Sequence, residues 1–324
     1  MSYSVTRESL VSVTDCWKNP QSGLKWDSVF VLPSWLKVWW QEFQPDAELN
    51  LIAVREDAKI IGIAPLQVKD QQALFIGNVD VCDYMDFIVN PAREHEFCNT
   101  LLEDLKIRGI RSLKLEHVRP DSLTMRTLIP VAQSRGLQVV CHENDSSAEM
   151  DLPATWEEYL ASLPQKQRHE VKRKMRKLGE AGQAEYTEVS QVTPELTATF
   201  FRLFTESRED KARFLTDHME SFFRSLIEEM AALGILTFGM LKIDGRVVAM
   251  FMGFNYNKTL FLYNSGYDPA YREFSVGLLS KIFGIRASIQ RGFTRWDFLK
   301  GNEAYKYNLG GKTVPLSSCQ VNFT

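Results

Sequence analysis

Largely apolar runs occupy residues 236–242 and 246–255, on either side of the polar turn residues of Ile243-Asp244-Gly245, and again 259–267. Short apolar runs bounded by turn signals read as buried strands, so this pattern predicts a hairpin followed by a third strand. After the turn at Asp268-Pro269 the pattern changes. Leu278, Leu279, Ile282, Phe283, Ile285 and Ile289 follow helical spacing and predict a helix that buries one side against the sheet. Beyond Gly292 residues 295–299 read as another strand, so the order is strand, strand, strand, loop, helix, strand.

The first half of the chain carries a similar succession. Residues 33–43 predict a helix that gathers Trp35, Leu36, Trp39, Trp40 and Phe43 near one face, either as core or as the aromatic wall of a cleft. A hairpin of 50–56 and 59–68 follows across Asp57-Ala58, then strands at 73–76 and 84–89. A helix at 96–107 stops at Gly109, a strand spans 111–117, and a helix at 123–135 is stopped by Gly136. Two short segments recur between the halves. Asp57-Ala58-Lys59-Ile60-Ile61-Gly62 matches Asp244-Gly245-Arg246-Val247-Val248-Ala249, an offset of 187 (57 to 244). Arg108-Gly109-Ile110-Arg111-Ser112-Leu113 matches Arg291-Gly292-Phe293-Thr294-Arg295-Trp296, an offset of 183 (108 to 291). Nearly equal offsets at the same step of the element order imply a duplicated domain.

Between the copies, Thr155-Trp156-Glu157-Glu158 has the form of a capping box, and Pro164 then precedes a basic run from Lys166 to Lys177. On a helix Arg168, Lys172 and Arg176 share a face, which is either a solvated linker surface or a contact for phosphate groups, with Arg168 and Arg173 the candidates. The second copy opens with a strand at 184–190, a helix beginning at Thr193-Pro194-Glu195, and a helix at 217–233 whose Phe222, Phe223, Leu226, Ile227 and Met230 are core candidates. The charged stretch from Glu206 to Lys211 reads as a surface turn, with the rim of an acceptor site as the second use. The expected domains are therefore 1–150, a linker at 151–180 and 181–324.

Composition removes several classes of chemistry. In 324 residues, 44% hydrophobic and 24% charged, the balance is that of a globular protein with sizeable cores, and the net charge of −3 exerts no global pull on nucleic acid. No apolar run approaches the roughly 18 residues of a membrane span, and the first residues lack the pattern of a signal peptide, so a cytoplasmic location is expected. Cys16, Cys82, Cys98, Cys141 and Cys319 are odd in number and far apart, which predicts reduced thiols and no zinc site. The five histidines are scattered, and neither a His-Glu-x-x-His, a Gly-x-Ser-x-Gly nor a Walker loop occurs, which leaves group transfer as the best fit and no metal.

The loop Arg272-Glu273-Phe274-Ser275-Val276-Gly277 at a helix start resembles the phosphate loop of GNAT acyltransferases, with Ser275 where that family has its first glycine. Together with Ser265-Gly266-Tyr267-Asp268-Pro269 and the run from Asp297 to Lys306, the chain from about Trp35 on is similar to the FemAB-like, CelD/BcsL-type branch of that superfamily, known from cell-envelope and polysaccharide gene clusters. The resemblance implies an α/β (α+β) fold of two tandem GNAT-like domains, each a mixed, mostly antiparallel sheet flanked by helices. The first copy lacks a glycine-rich helix start and is expected to serve the acceptor. Acetyl-CoA, or another acyl-CoA, is the implied co-substrate. Residues 261–264, with Leu262 among them, would lie along its pantetheine arm. Phe274, Ser275, Val276 and Gly277 would offer amides to its pyrophosphate, with Arg272 adding charge. The resemblance makes Tyr305 the proton donor to the leaving thiolate, with Asp297 and Glu303 able to orient or deprotonate an amine, and Lys306 and Tyr267 at the acceptor. Alternatively, Asp297, Glu303 and Lys306 form an ion-pair network that only fixes the loop. The expected reaction is N-acylation, acetyl first, of an amino sugar or another envelope or polysaccharide precursor. Two other readings stand beside it: a FemAB-type transferase that draws on aminoacyl-tRNA, supported by the basic helix, and a non-catalytic binding module.

Overall fold

The computed structural model describes residues 2–323. Packing divides the chain into two compact units, one of residues up to Ser146 together with those from Val314 on, the other Ser147–Thr313. The expected boundaries placed the last strand in the second domain and the basic helix in a linker; packing assigns the strand to the first unit and the helix to the second.

The first unit runs β1 (Tyr3–Arg7), α1 (Leu10–Lys18), α2 (Pro33–Phe43), β2 (Glu48–Glu56), β3 (Lys59–Lys69), β4 (Gln72–Phe75), β5 (Ile88–Val89), α3 (Glu94–Ile107), β6 (Ser112–Val118), α4 (Ile129–Ser134) and the first part of β7 (Gln138–Asp151). Strands β1 to β4 pair antiparallel in sequence, β4 pairs β6 in parallel, and the remaining neighbour of β6 comes from the far end of the chain. Leu51, Ile52, Ala53 and Val54 are buried in succession along β2, which means that both faces of the strand are covered. Trp35 and Trp39, at 0% and 3% exposure, are core rather than cleft wall.

One expectation is corrected here. Cys141 and Cys319 form a disulfide across a sequence separation of 178 residues, where reduced thiols were predicted. Asn144 Nδ2 donates to Ser318 Oγ at 2.8 Å beside it. Spacing could not reveal the pair, because its two halves become neighbours only through the return of the final strand.

The second unit begins with the end of β7 and continues through α5 (Trp156–Ser162), α6 (Gln165–Leu178), β8 (Ala184–Val189), α7 (Pro194–Ser207), α8 (Glu209–Phe214), α9 (Asp217–Ala232), β9 (Leu236–Ile243), β10 (Arg246–Tyr256), β11 (Thr259–Tyr267), α10 (Val276–Gln290), β12 (Arg295–Lys300) and α11 (Ala304–Asn308). The closing strand β13 (Lys312–Asn322) pairs antiparallel with β6 of the first unit. Strands β8 to β11 pair antiparallel, β11 pairs β12 in parallel, and residues 147–151 of β7 complete the sheet antiparallel to β12. This is the strand order of the first unit over again. The repeated sequence segments fall on its matching turns: Asp57 and Asp244 both take positive φ (53° and 48°) between paired strands, and Gly109 and Gly292 (76° and 73°) both end a helix.

Helix α6 has an apolar stripe despite its charge. Val171 and Leu178 are buried and Met175 partly so, at the spacing that turns one helical face toward the core residues of α10. Tyr159 of α5 donates its hydroxyl to Leu309 O at 3.0 Å, and the capping box at Thr155 and Glu158 is formed. Gly266 lets α7 lie directly on β11: a Cβ there would meet the Leu203 and Phe204 backbone at 2.3 Å. Among the described residues no helix is long and apolar enough to cross a membrane.

Candidate active site

The parallel pairing of β11 with β12 runs Thr259↔Arg295, Leu260↔Trp296 and Phe261↔Asp297, and stops there, although β11 continues to Tyr267 and β12 to Lys300. The strands therefore part from Leu262 onward. A bulge in β12 between Asp297 and Leu299 accompanies the parting. Asp297, 2% exposed, accepts from the Leu299 amide at 2.8 Å and so ties together a bulge in which Leu299 has a φ of 61°. Its carboxylate thus stabilises the divergence of the strands from within.

The chain leaves β11 through a tight turn at Pro269–Phe274 and enters α10 at Ser275. Ser275 has φ 57° and ψ 35°, the left-handed conformation that a glycine would reach without cost and that a side chain strains by about 1–2 kcal/mol. The serine oxygen offsets this with a contact that glycine could not make: Lys174 Nζ donates to Ser275 Oγ at 2.8 Å. Lys177, one turn further along α6, donates to Glu273 O at 3.2 Å and lies 5.3 Å from the centre of the Phe274 ring. Arg272 is exposed and has no carboxylate partner among the described residues. First-turn amides, here those of Val276 and Gly277, have no acceptor inside their own helix. The start of α10 is thus an amide-lined, cation-flanked turn suited to an anion. Gly277 also gives room to Tyr267, whose ring a Cβ would meet at 2.9 Å.

The two arginines expected to meet anions differ. Arg173 closes a two-pronged bond on Glu170, both contacts 2.8 Å, and this holds the Glu170 carboxyl down at about 2. Arg168 has no side-chain hydrogen bond or ion pair among the described residues.

After β12 the chain doubles back into α11. Lys306, 2% exposed, gives its ammonium to the carbonyls of Leu299, Lys300 and Gly301, and pairs with Glu303 at 3.0 Å. It knits the loop that follows the bulge. Partial burial works to raise the Glu303 carboxyl, but the Lys306 ammonium outweighs that and holds it below the usual range. Tyr305 is partly buried against Phe298, and burial followed by the Glu303 charge raises its phenol. Lys281 Nζ stands 5.2 Å from the centre of that ring and donates to Gly277 O at 2.8 Å. Lys211 donates to Ser265 O, on the stretch of β11 beyond the last pairing with β12. Burial lowers Lys281 to about 7 and Lys211 to about 8.

The structure thus gathers Tyr305, Glu303 and Lys306 after β12, and Phe274, Ser275, Val276 and Gly277 at the α10 start. Sequence reasoning singled out neither Lys174 nor Lys281, set Lys177 only beside the basic face of α6, and gave the stretch ending at Lys211 the rim of an acceptor site as its second use. One signal for Lys281 was available: a lone cation in the otherwise apolar first turns of α10 is rarely buried without a purpose. The stretch holding Lys211, read chiefly as a surface turn, folds into the short helix α8 and sends this side chain inward.

Comparison with known proteins bears on these features. Residues 165–307 match the model of an acetyltransferase (GNAT) domain family. Comparison of the sequence with curated proteins finds no match. Among solved structures, the chain is similar to FemX at 13% identity, covering 98% of this chain and 96% of that one with a TM-score of 0.66. It is similar to a conserved protein of unknown function from Bacteroides thetaiotaomicron at 15% identity, 99% and 100% coverage and a TM-score of 0.62. A tandem GNAT protein from the clavulanic acid biosynthesis pathway has 11% identity, 99% and 98% coverage and a TM-score of 0.51. The domain match spans the parted strands, the cation-flanked helix start and the loop after β12, so residues 165–307 are similar to a GNAT acetyltransferase domain, and the solved structures share the fold along nearly the whole chain.

Proposed function

We propose that the second unit is an acyl-CoA-dependent N-acyltransferase, with acetyl as the acyl group and an amino sugar or other cell-envelope or polysaccharide precursor as acceptor. The observation that carries this reading is the start of α10, where Ser275 holds a left-handed turn, Lys174 holds Ser275, and Arg272 has no acidic partner among the described residues. A diphosphate at this turn would meet first-turn amides and several cations together, each charge-assisted hydrogen bond contributing about 1.5–3 kcal/mol. Leu262 begins the stretch of β11 that stays on β10 but no longer pairs with β12, and that would lie along the pantetheine arm.

In this reading the acceptor amine, once deprotonated, attacks the thioester carbonyl. The C–N bond forms, the C–S bond breaks, the thiolate takes a proton from Tyr305, and the proton that the acylated nitrogen sheds passes through water and restores the Tyr305 phenol. Burial suits Tyr305 to that step, because it keeps the phenol protonated across the neutral range. Glu303, held low by Lys306, is a poor base and serves to hold the loop.

The test is a thermal melt with acetyl-CoA. Saturation at a hundredfold over the dissociation constant stabilises by about 2.7 kcal/mol, read as an upward shift of several degrees. Lys174→Met with Lys177→Met is expected to reduce the shift by more than half. No shift with any acyl-CoA counts against the proposal.

A second reading is favoured by the exposure of Lys166, Lys172 and Arg176 on α6, which suits an aminoacyl-tRNA donor. RNA binding that falls steeply with salt supports it, and absent or salt-insensitive binding removes it.

A further inference from the structure

Lys211 and Lys281 differ from Arg208 and Lys306, the two other cations whose charge they feel. Arg208 is closed on Asp210 at 2.8–2.9 Å, and Lys306 is held by three carbonyls and Glu303. Lys211 and Lys281 each have a carbonyl, Ser265 O and Gly277 O, and a ring, Phe204 at 5.0 Å and Tyr305 at 5.2 Å, but no carboxylate within ion-pair distance among the described residues. Glu303 is the one acidic group whose charge both of them sense, and its oxygen is already on Lys306. Lys281 is 6% exposed. An ammonium taken out of water without a counter-charge is costly, and with Lys281 buried, Lys211 partly so, and the charge of one felt by the other, the pair suits a negative group from outside.

Their positions indicate which molecule would bring that group. Lys211 touches β11 past its last pair with β12, and Lys281 sits one turn into α10 with Tyr305 over it. Both border the stretch in which the reaction proposed above would take place, and this inference rests on that reading. We propose that Lys211 and Lys281 form a seat for an anionic group, a carboxylate or a phosphate, carried by the acyl acceptor or by the acyl chain itself. The seat fills as its ligand binds, and a proton is drawn in with it: an anion between two amines that are partly neutral near pH 7 to 8 returns them to ammonium.

Calorimetry on the full chain tests this, with inorganic phosphate and malonate as probes at pH 7.5 in two buffers of different ionisation heat. Wild type is expected to bind with a heat that depends on the buffer, which reports proton uptake. Lys281→Met is expected to bind at least about tenfold more weakly, the loss of one charge-assisted bond, and without the buffer dependence. Lys211→Met, a change at a partly exposed side chain, should weaken binding similarly and keeps the test open if the buried variant does not fold. No binding by wild type, or equal binding by both variants, overturns the proposal. The source of the anion is read from two pairs of ligands, glucosamine against glucosamine 6-phosphate and acetyl-CoA against succinyl-CoA. Tighter binding of the charged member of either pair, lost in Lys281→Met, supports the seat, and equal binding within both pairs overturns it. An acetyl-CoA melting shift that persists while the anion titrations fail sinks this inference alone. Anion binding without that shift sinks the acyl-CoA reading alone.

Discussion

Lys281 lies on a helix otherwise built into the core by Val276, Leu279, Ile282 and Ile285, and burial, then the neighbouring charge of Lys211, brings its proton off at about 7. An unfolded lysine holds that proton to about 10.5. Between these values the unfolded chain binds a proton the folded chain has released, so stability is lowest below pH 7 and rises as pH climbs toward 10.5. The slope from one such group is at most about 1.4 kcal/mol per pH unit. Denaturant midpoints followed from pH 7 to 10 are therefore expected to rise more steeply in wild type than in Lys281→Met. At Tyr305 the expectation concerns rate: Tyr305→Phe should lower kcat about 10- to 100-fold while leaving the acetyl-CoA melting shift in place. An unchanged rate would move the proton donor elsewhere.

At the scale of elements, the turn into α10 and the seating of α7 make separable claims. Ser275→Gly relieves a strained backbone but loses the Lys174 contact, so its stability should stay within about 1 kcal/mol of wild type. Ser275→Val places a branched side chain at φ 57° and should both destabilise and erase the acetyl-CoA shift. Gly266→Ala should cost about 3 kcal/mol, measured by chemical denaturation, because its new methyl group meets backbone rather than a movable side chain. These elements were legible to different degrees. The strands from Leu236 to Tyr267, as apolar runs between turn residues, and the helix after Ser275, by its spacing, follow from local pattern alone, and their observed bounds agree with it closely. Helix α8, with six residues and no fully buried side chain, has too little pattern to be read. The Lys174 contact with Ser275 joins residues 101 apart in sequence and has no local signature.

For the whole chain, the duplication was visible in two turns, since turn geometry constrains sequence wherever it recurs: Asp57 with Asp244, Gly109 with Gly292. The destination of the ends of the copies was not visible, because strand pairing between distant segments leaves no periodic mark in either. Strand β13 carries Leu316, Cys319 and Val321, each 0–1% exposed, into the sheet of the first unit, where Val321 pairs with Leu113 and Cys319 with Leu115. A peptide map without reductant should recover Cys141 linked to Cys319, and reduction should lower the melting temperature of the first unit.

The same returning strand dictates an order of events on the ribosome. Everything needed to close residues 147–313 has been synthesised before residue 314 is added, whereas residues up to 146 wait, one strand short and with the flank of β6 bare, until the codons for β13 are read. A nascent chain stalled at residue 313 should accordingly resist protease in its later half and be cut in its earlier one, so that what is made first is finished last.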